Sequence, residues 1–119
     1  MVERFLLHLG DREVDKVAAD LAPKALVLIS REANGRWTNT YLTGDEWLDG
    51  LKRGTSTFRE PLTNVSVTID SDRLAYVRAD FTILRDNTVQ SHGVDQFTLV
   101  REPGGWKMAV VAFTSLPNR

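Results

Sequence analysis

The sequence has no cysteine among its 119 residues, which removes disulfide staples, thiolate nucleophiles and thiolate metal ligands together. Only two histidines are present, His8 and His92, and neither belongs to a His-x-x-x-His pair or an acidic cluster that could complete a metal site. No metal or other cofactor is expected. Neither sign of charge is in excess: sixteen acidic residues stand against fifteen basic ones, spread along the chain. Such a balance offers no field for a phosphate backbone or an anionic bilayer, so nucleic acid and membrane are not expected partners. No apolar run reaches membrane-spanning length, and the start lacks the charged, apolar and small-residue succession of a signal peptide. A cytoplasmic protein is expected. The length and average composition suit one domain, 1–119, with one core.

What is present is a helical first part and a strand-rich second part. Val2, Phe5, Leu6 and Leu9 follow helical spacing up to Gly10. After an expected cap at Asp11, the residues Val14, Val17, Ala18 and Leu21 repeat that spacing until Pro23. The run "KALVLISR", then Asn34-Gly35, then "WTNTYL" predicts a hairpin. Thr43 and Glu46 have capping-box spacing ahead of Trp47, Leu48 and Leu51, so a third helix runs to about Gly54. From Thr57 onward the period is two. Val65, Val67 and Ile69 alternate, as do Ala75, Val77, Ala79, Phe81 and Ile83. Turns are expected at "DSD" 70–72, "RDN" 85–87 and "PGG" 103–105. Pro61 suggests an edge or a bulge early in the first long strand. The fold class is α+β: an antiparallel meander with helices on its concave side.

The "LGD" corner at 9–11, "LAP" at 21–23, "SDRLAYVRADF" at 71–81 and "HGVDQFTLVREPGGWKM" at 92–108 occur in one order along nearly the whole chain. In these segments the sequence resembles the nuclear-transport-factor-2-like superfamily, and within it the SnoaL-like and lumazine-binding type of small bacterial protein. The resemblance implies a cystatin-like cone, a strongly curved antiparallel sheet wrapped around N-terminal helices. It also implies an apolar pocket at the wide mouth and a homodimer through the outer sheet face. It does not imply one activity, because the superfamily holds isomerases, dehydratases, cyclases and members that only bind or scaffold. Only nine residues precede Gly10, fewer than the resemblance implies for the first helix, so part of the pocket wall is expected to be missing or supplied by a partner chain.

Asp95 shares a strand face with Phe97 and Leu99 and is expected to point into the pocket. His92 points the other way by plain alternation, but a bulge at Gly93 would bring it inward beside Asp95. The pair is the candidate catalytic site: His92 as acid or base, Asp95 orienting it or binding an enol oxygen. The competing reading is a hydrogen-bonded pair that orders the cone's mouth. Resemblance to ketosteroid isomerase places Asp95 where that enzyme has its protonated aspartate, a worked case of a carboxyl kept neutral by an apolar site. The same resemblance puts the general base near Leu28 or Ile29 and the oxyanion-hole tyrosine among Glu3, Arg4 and Phe5, none of which can serve. A Ser91, His92, Asp95 triad is not expected, since strand neighbours face opposite ways and no nucleophile elbow is present.

Trp37, Tyr41, Trp47, Phe58, Phe81, Phe97, Val110 and Ala112 are the expected pocket or core residues. Tyr76, Arg78, Asp80, Gln96 and Thr98 are expected on the outer face, and Trp106 as an anchor of the last strand. The leading expectation is a small-molecule-binding or accessory protein that takes an apolar or aromatic molecule. The alternatives are a cofactor-independent isomerase, dehydratase or cyclase using His92 and Asp95, and an interaction module with a collapsed pocket.

Overall fold

A computed structural model describes residues 1–118, so the last residue of the expected 1–119 domain lies outside them. Three helices, α1 (Val2–Gly10), α2 (Val14–Asp20) and α3 (Gly44–Arg53), accompany six strands. The strands are β1 (Leu21–Ala33), β2 (Arg36–Thr43), β3 (Leu62–Asp70), β4 (Leu74–Arg85), β5 (Thr88–Glu102) and β6 (Gly105–Pro117). All six form one sheet in the order β2-β1-β6-β5-β4-β3. From β3 to β6 the chain is the expected antiparallel meander. The sheet as a whole is mixed rather than antiparallel, because β1 runs parallel to β6. The long return through α3 and the meander allows that pairing, which a tight turn cannot make.

Local chemistry explains the turns. Asn34 and Gly35, Ser71 and Asp72, and Asp86 and Asn87 all take positive φ, which suits tight turns between right-twisted strands. The first and last pairs are two-residue loops, and the middle loop is 71–73 between the paired Asp70 and Leu74. The capping box closes: Glu46 N–H donates to Thr43 Oγ1 at 3.1 Å, and Thr43 N–H donates to Glu46 Oε1 at 2.9 Å. Asp11 does not cap α2. That helix starts without a side-chain cap, and Asp11 instead accepts from Arg59 Nη1 at 2.7 Å.

The core lies between the helices and one sheet face. Phe5 and Val17 are fully buried there with Val27, Phe97 and Met108, and Phe5 meets Phe97 edge to face at 6.4 Å. The opposite face carries Tyr76, Arg78 and Asp80 as expected, with Arg78 Nη1 3.6 Å from Asp80 Oδ1. β3 is an edge strand beginning just after Pro61, and Val65, Val67 and Ile69 on it stay exposed because the helices do not reach them. Trp106 stacks under the Arg101 guanidinium at 4.6 Å, which ties the start of β6 to the end of β5. No helix among the described residues is long and apolar enough to cross a membrane.

Gly10 ends α1 for a packing reason. Its carbonyl accepts from Phe58 N–H at 3.0 Å, and a Cβ at Gly10 would overlap the Phe58 carbonyl oxygen. Gly10→Ala is expected to cost about 1 to 3 kcal/mol, the range for forcing atoms into a filled interior. Gly104→Ala, where a Cβ meets nothing within 4 Å, should cost far less. Urea unfolding midpoints at constant slope check the difference; equal midpoints would contradict the close-packed corner.

Candidate functional site

A cavity of about 330 Å³ opens between α1, α3 and the inner sheet face. Its wall is mainly apolar and includes six aromatic rings, Phe5, Trp47, Phe58, Phe81, Phe97 and Phe113. Phe81 and Phe113 meet edge to face at 6.1 Å. Four of the expected pocket residues, Trp47, Phe58, Phe81 and Phe97, therefore line the cavity.

The other four do not. On β1 the odd-numbered residues Val27 and Ile29 face the core, so their cross-strand partners Leu42 and Thr40 face in while Trp37 and Tyr41 face out. Tyr41 is 74% exposed. Val110 and Ala112 also lie on the outer face. The register between β5 and β6 shifts between Thr98 and Leu99, which pair with Val110 and Met108, leaving Ala109 as an extra residue. That bulge turns the inward set from Met108 to Val111, Phe113 and Ser115.

Asp95 points inward as expected and is 2% exposed. His92 does not join it. β5 stays in regular register with β4 from Ser91 to Val100, and its own bulge falls at Gln90 rather than at Gly93. Gly93 is a glycine for another reason: a Cβ there would overlap the Thr114 carbonyl and crowd the Phe81 ring. With no bulge to shift the parity, His92 is exposed on the outer face and Ser91 alone of the two reaches the cavity mouth.

The partner of Asp95 is Glu60. Burial first, then the Asp95 carboxyl acting as hydrogen-bond partner and as a charge, push the Glu60 carboxyl up to about 10. Burial raises Asp95 as well, while its hydrogen bond to Glu60 pulls the other way. Asp95 Oδ2 is sealed from solvent and meets no amide, hydroxyl or guanidinium donor. A proton held on Glu60 supplies the missing donor, and it spares the site two adjacent charges in an apolar surrounding. Glu60 holds its proton through neutral pH, and the two carboxyls titrate as one coupled pair, both raised by burial.

The backbone holds Glu60 in place from both sides. Phe58 N–H donates to Gly10 O, Arg59 exchanges two hydrogen bonds with Leu84 at 2.9 and 2.8 Å, and Thr82 N–H donates to Pro61 O at 3.2 Å. Glu60 lies in a stretch without periodicity, "FREPL", where it follows Arg59 and precedes Pro61, so alternation gave no hint of it. Ile29 lines the cavity where a general base was sought, and it offers no acceptor. Glu3 and Arg4 stay outside it; Arg4 pairs with Asp20 at 3.5 Å. His8 pairs with Glu13 at 3.3 Å on the helix surface. Among the described residues no three His, Cys, Asp or Glu side chains gather as a metal site would need.

Three helices packed on one face of this mixed sheet, with a cavity under α1 and α3, define a class. The chain has the nuclear-transport-factor-2-like, cystatin-like fold. It superposes on a nuclear-transport-factor-2-like protein with a cystatin-like fold from Novosphingobium aromaticivorans with a TM-score of 0.74. Identity there is 14%, covering 95% of this chain and 75% of that one. A protein from the same organism provisionally named a scytalone dehydratase gives a TM-score of 0.70 at 19% identity, over 94% and 76% of the two chains. A nuclear-transport-factor-2-like protein of unknown function from Pseudomonas putida gives 0.75 at 13%, over 95% and 80%. No family model and no curated protein matches the sequence.

The pair sets a pH dependence. Unfolded, Glu60 releases its proton near 4.5; folded, it keeps it to about 10. Between those values the unfolded chain binds fewer protons, so stability falls as pH rises, by at most about 1.4 kcal/mol per pH unit. Glu60→Gln keeps a donor and cannot ionise, and it should flatten that decline. Urea unfolding from pH 5 to pH 9 checks this, and an equally steep decline in the variant would place the linkage elsewhere.

Proposed function

We propose that the chain binds a small, mainly apolar or aromatic molecule in the cavity and fixes one polar group of it at Glu60 and Asp95. The proton-sharing pair on an aromatic wall carries this reading. Rings supply area, and the pair offers a donor and an acceptor side by side to a hydroxyl or carbonyl that the rings cannot satisfy. The open volume speaks against an interaction module with a collapsed pocket.

A second reading has its own support. An acid that holds its proton to about 10 beside a carboxylate is suited to general acid and base catalysis, so an isomerase, dehydratase or cyclase would use Glu60 and Asp95. One structural neighbour is provisionally named a scytalone dehydratase. His92 has no part in either reading, because it faces away from the cavity.

A panel of phenols and cyclic ketones, titrated against amide NMR spectra, tests both. Binding should shift Phe81, Phe97 and Val111 amides. Asp95→Asn should weaken it about tenfold or more, in line with about 1.5 to 3 kcal/mol for a charged hydrogen bond, and His92→Ala should leave it unchanged. Loss of binding in His92→Ala with none in Asp95→Asn would reverse the assignment. Solvent-deuterium uptake at an enolisable C–H of a bound ketone, abolished by Asp95→Asn, distinguishes the enzyme from the binding protein.

A homodimer through the outer sheet face belongs to the same proposal. Support comes from Leu28, Trp37 and Tyr41, large side chains left 36%, 52% and 74% exposed there, with Val110 and Ala112 beside them. Light scattering should give twice the chain mass, falling to one chain in Tyr41→Glu; a monomeric wild type would contradict it.

A further inference from the structure

We infer that the ligand is a small aromatic or cyclic carboxylic acid, its carboxylate held at the cavity mouth by Arg31 and Arg85. This rests on the proposed binding of a small molecule in the cavity. The mouth and the depth of the cavity differ in chemistry. Below are the aromatic rings and the carboxyl pair; at the rim stand Arg31, Arg85, Ser91 and Ser115.

Strand register brings the rim together. Arg31 on β1 is beside Ser115 on β6, Ser91 on β5 pairs with Pro117, and Ser91 faces Ile83 on β4, two residues before Arg85. The row crosses three strand spacings, about 14 Å before curvature, with an arginine near each end and the two hydroxyls between. A carboxylate centred on the hydroxyls lies within the sweep of both side chains.

Charge makes the same case. Neither Arg31 nor Arg85 has an ion pair or side-chain hydrogen bond among the described residues. Other arginines are engaged: Arg4 with Asp20, Arg59 with Asp11, Arg101 with Asp72, and Arg12 with the Ser56 and Leu51 carbonyl oxygens. No arginine contributes to the balance at Glu60 or Asp95, so the deep pair does not neutralise the rim. Arg12 also lines the cavity but is spent on backbone carbonyls, so among the described residues Arg31 and Arg85 are the lining cations left without a protein acceptor, and an anion at the rim offsets them. The guanidinium fork fits the plane of a carboxylate, and a ligand of this shape spans from rim to pair with its ring among the phenylalanines.

The test uses three probes: 4-hydroxybenzoate, 4-hydroxybenzamide and p-cresol, titrated calorimetrically and by amide NMR into wild type, Arg31→Gln and Arg85→Gln. The acid should bind at least tenfold tighter than the amide in the wild type, and each arginine variant should lose most of that preference while keeping its amide affinity. Both arginines are exposed, so unchanged urea midpoints should confirm that the variants fold, and Arg→Lys at either site should recover part of the preference. Equal affinity for acid and amide in the wild type, or a preference that survives in both variants, would overturn the carboxylate assignment while leaving the cavity as a binding site if p-cresol still shifts Phe81 and Phe97. If no probe shifts those amides, the cavity-binding reading fails and this inference with it.

Discussion

Two carboxyl groups that meet in an aromatic cavity cannot both ionise at neutral pH, and the proton held by Glu60 is the constraint around which the site is arranged. Asp95 is anchored in the middle of a central strand, out of reach of solvent, with one oxygen that no amide or hydroxyl serves. Glu60 comes to it from a non-repetitive segment between α3 and β3. Unless that segment is held close, the proton has no reason to stay. The contacts that hold it are the Gly10 approach to Phe58, the two hydrogen bonds between Arg59 and Leu84, and the Arg59 pair with Asp11.

Stability and proposed function therefore meet at one point. The ion pair of Arg59 with Asp11 is half exposed and contributes little by itself. Its placement matters more, since it ties the α1–α2 corner to the residue before Glu60. Arg12, next in the chain, links the same corner to the end of α3 through the Leu51 and Ser56 carbonyls. The aromatic wall is part of the core as well as of the cavity: Phe5 touches both Trp47 and Phe97. A ligand would thus meet side chains already fixed by folding, which lowers the ordering cost of binding.

Much of this was legible in the sequence, and the failures have identifiable physical causes. The ends of α1 and α3, the capping box, three hairpin turns and the inward direction of Asp95, Phe81 and Phe97 follow from local spacing, which acts within a few residues. The α2 helix departs from it, uncapped by Asp11 and ending at Asp20 because Leu21 and Pro23 already belong to β1. The parallel pairing of β1 with β6 joins segments some eighty residues apart, and no local pattern encodes it. One extra residue, Ala109, reversed the faces of Val110 and Ala112, and a bulge sought at Gly93 lies at Gln90, leaving His92 outside. Arg31 was within reach of alternation, standing two residues beyond Ile29 on the same face. Glu60 was not, because loops carry no period and its partner lies thirty-five residues downstream.

The most direct measurement is a carbon-13 NMR titration of the Glu60 and Asp95 side-chain carboxyls from pH 3 to pH 11. The shared-proton account predicts that Glu60 remains protonated through neutral pH and releases its proton near 10, with the Asp95 signal responding in the same step. Two independent transitions, each complete below about pH 5 as in ordinary carboxyl groups, would contradict it.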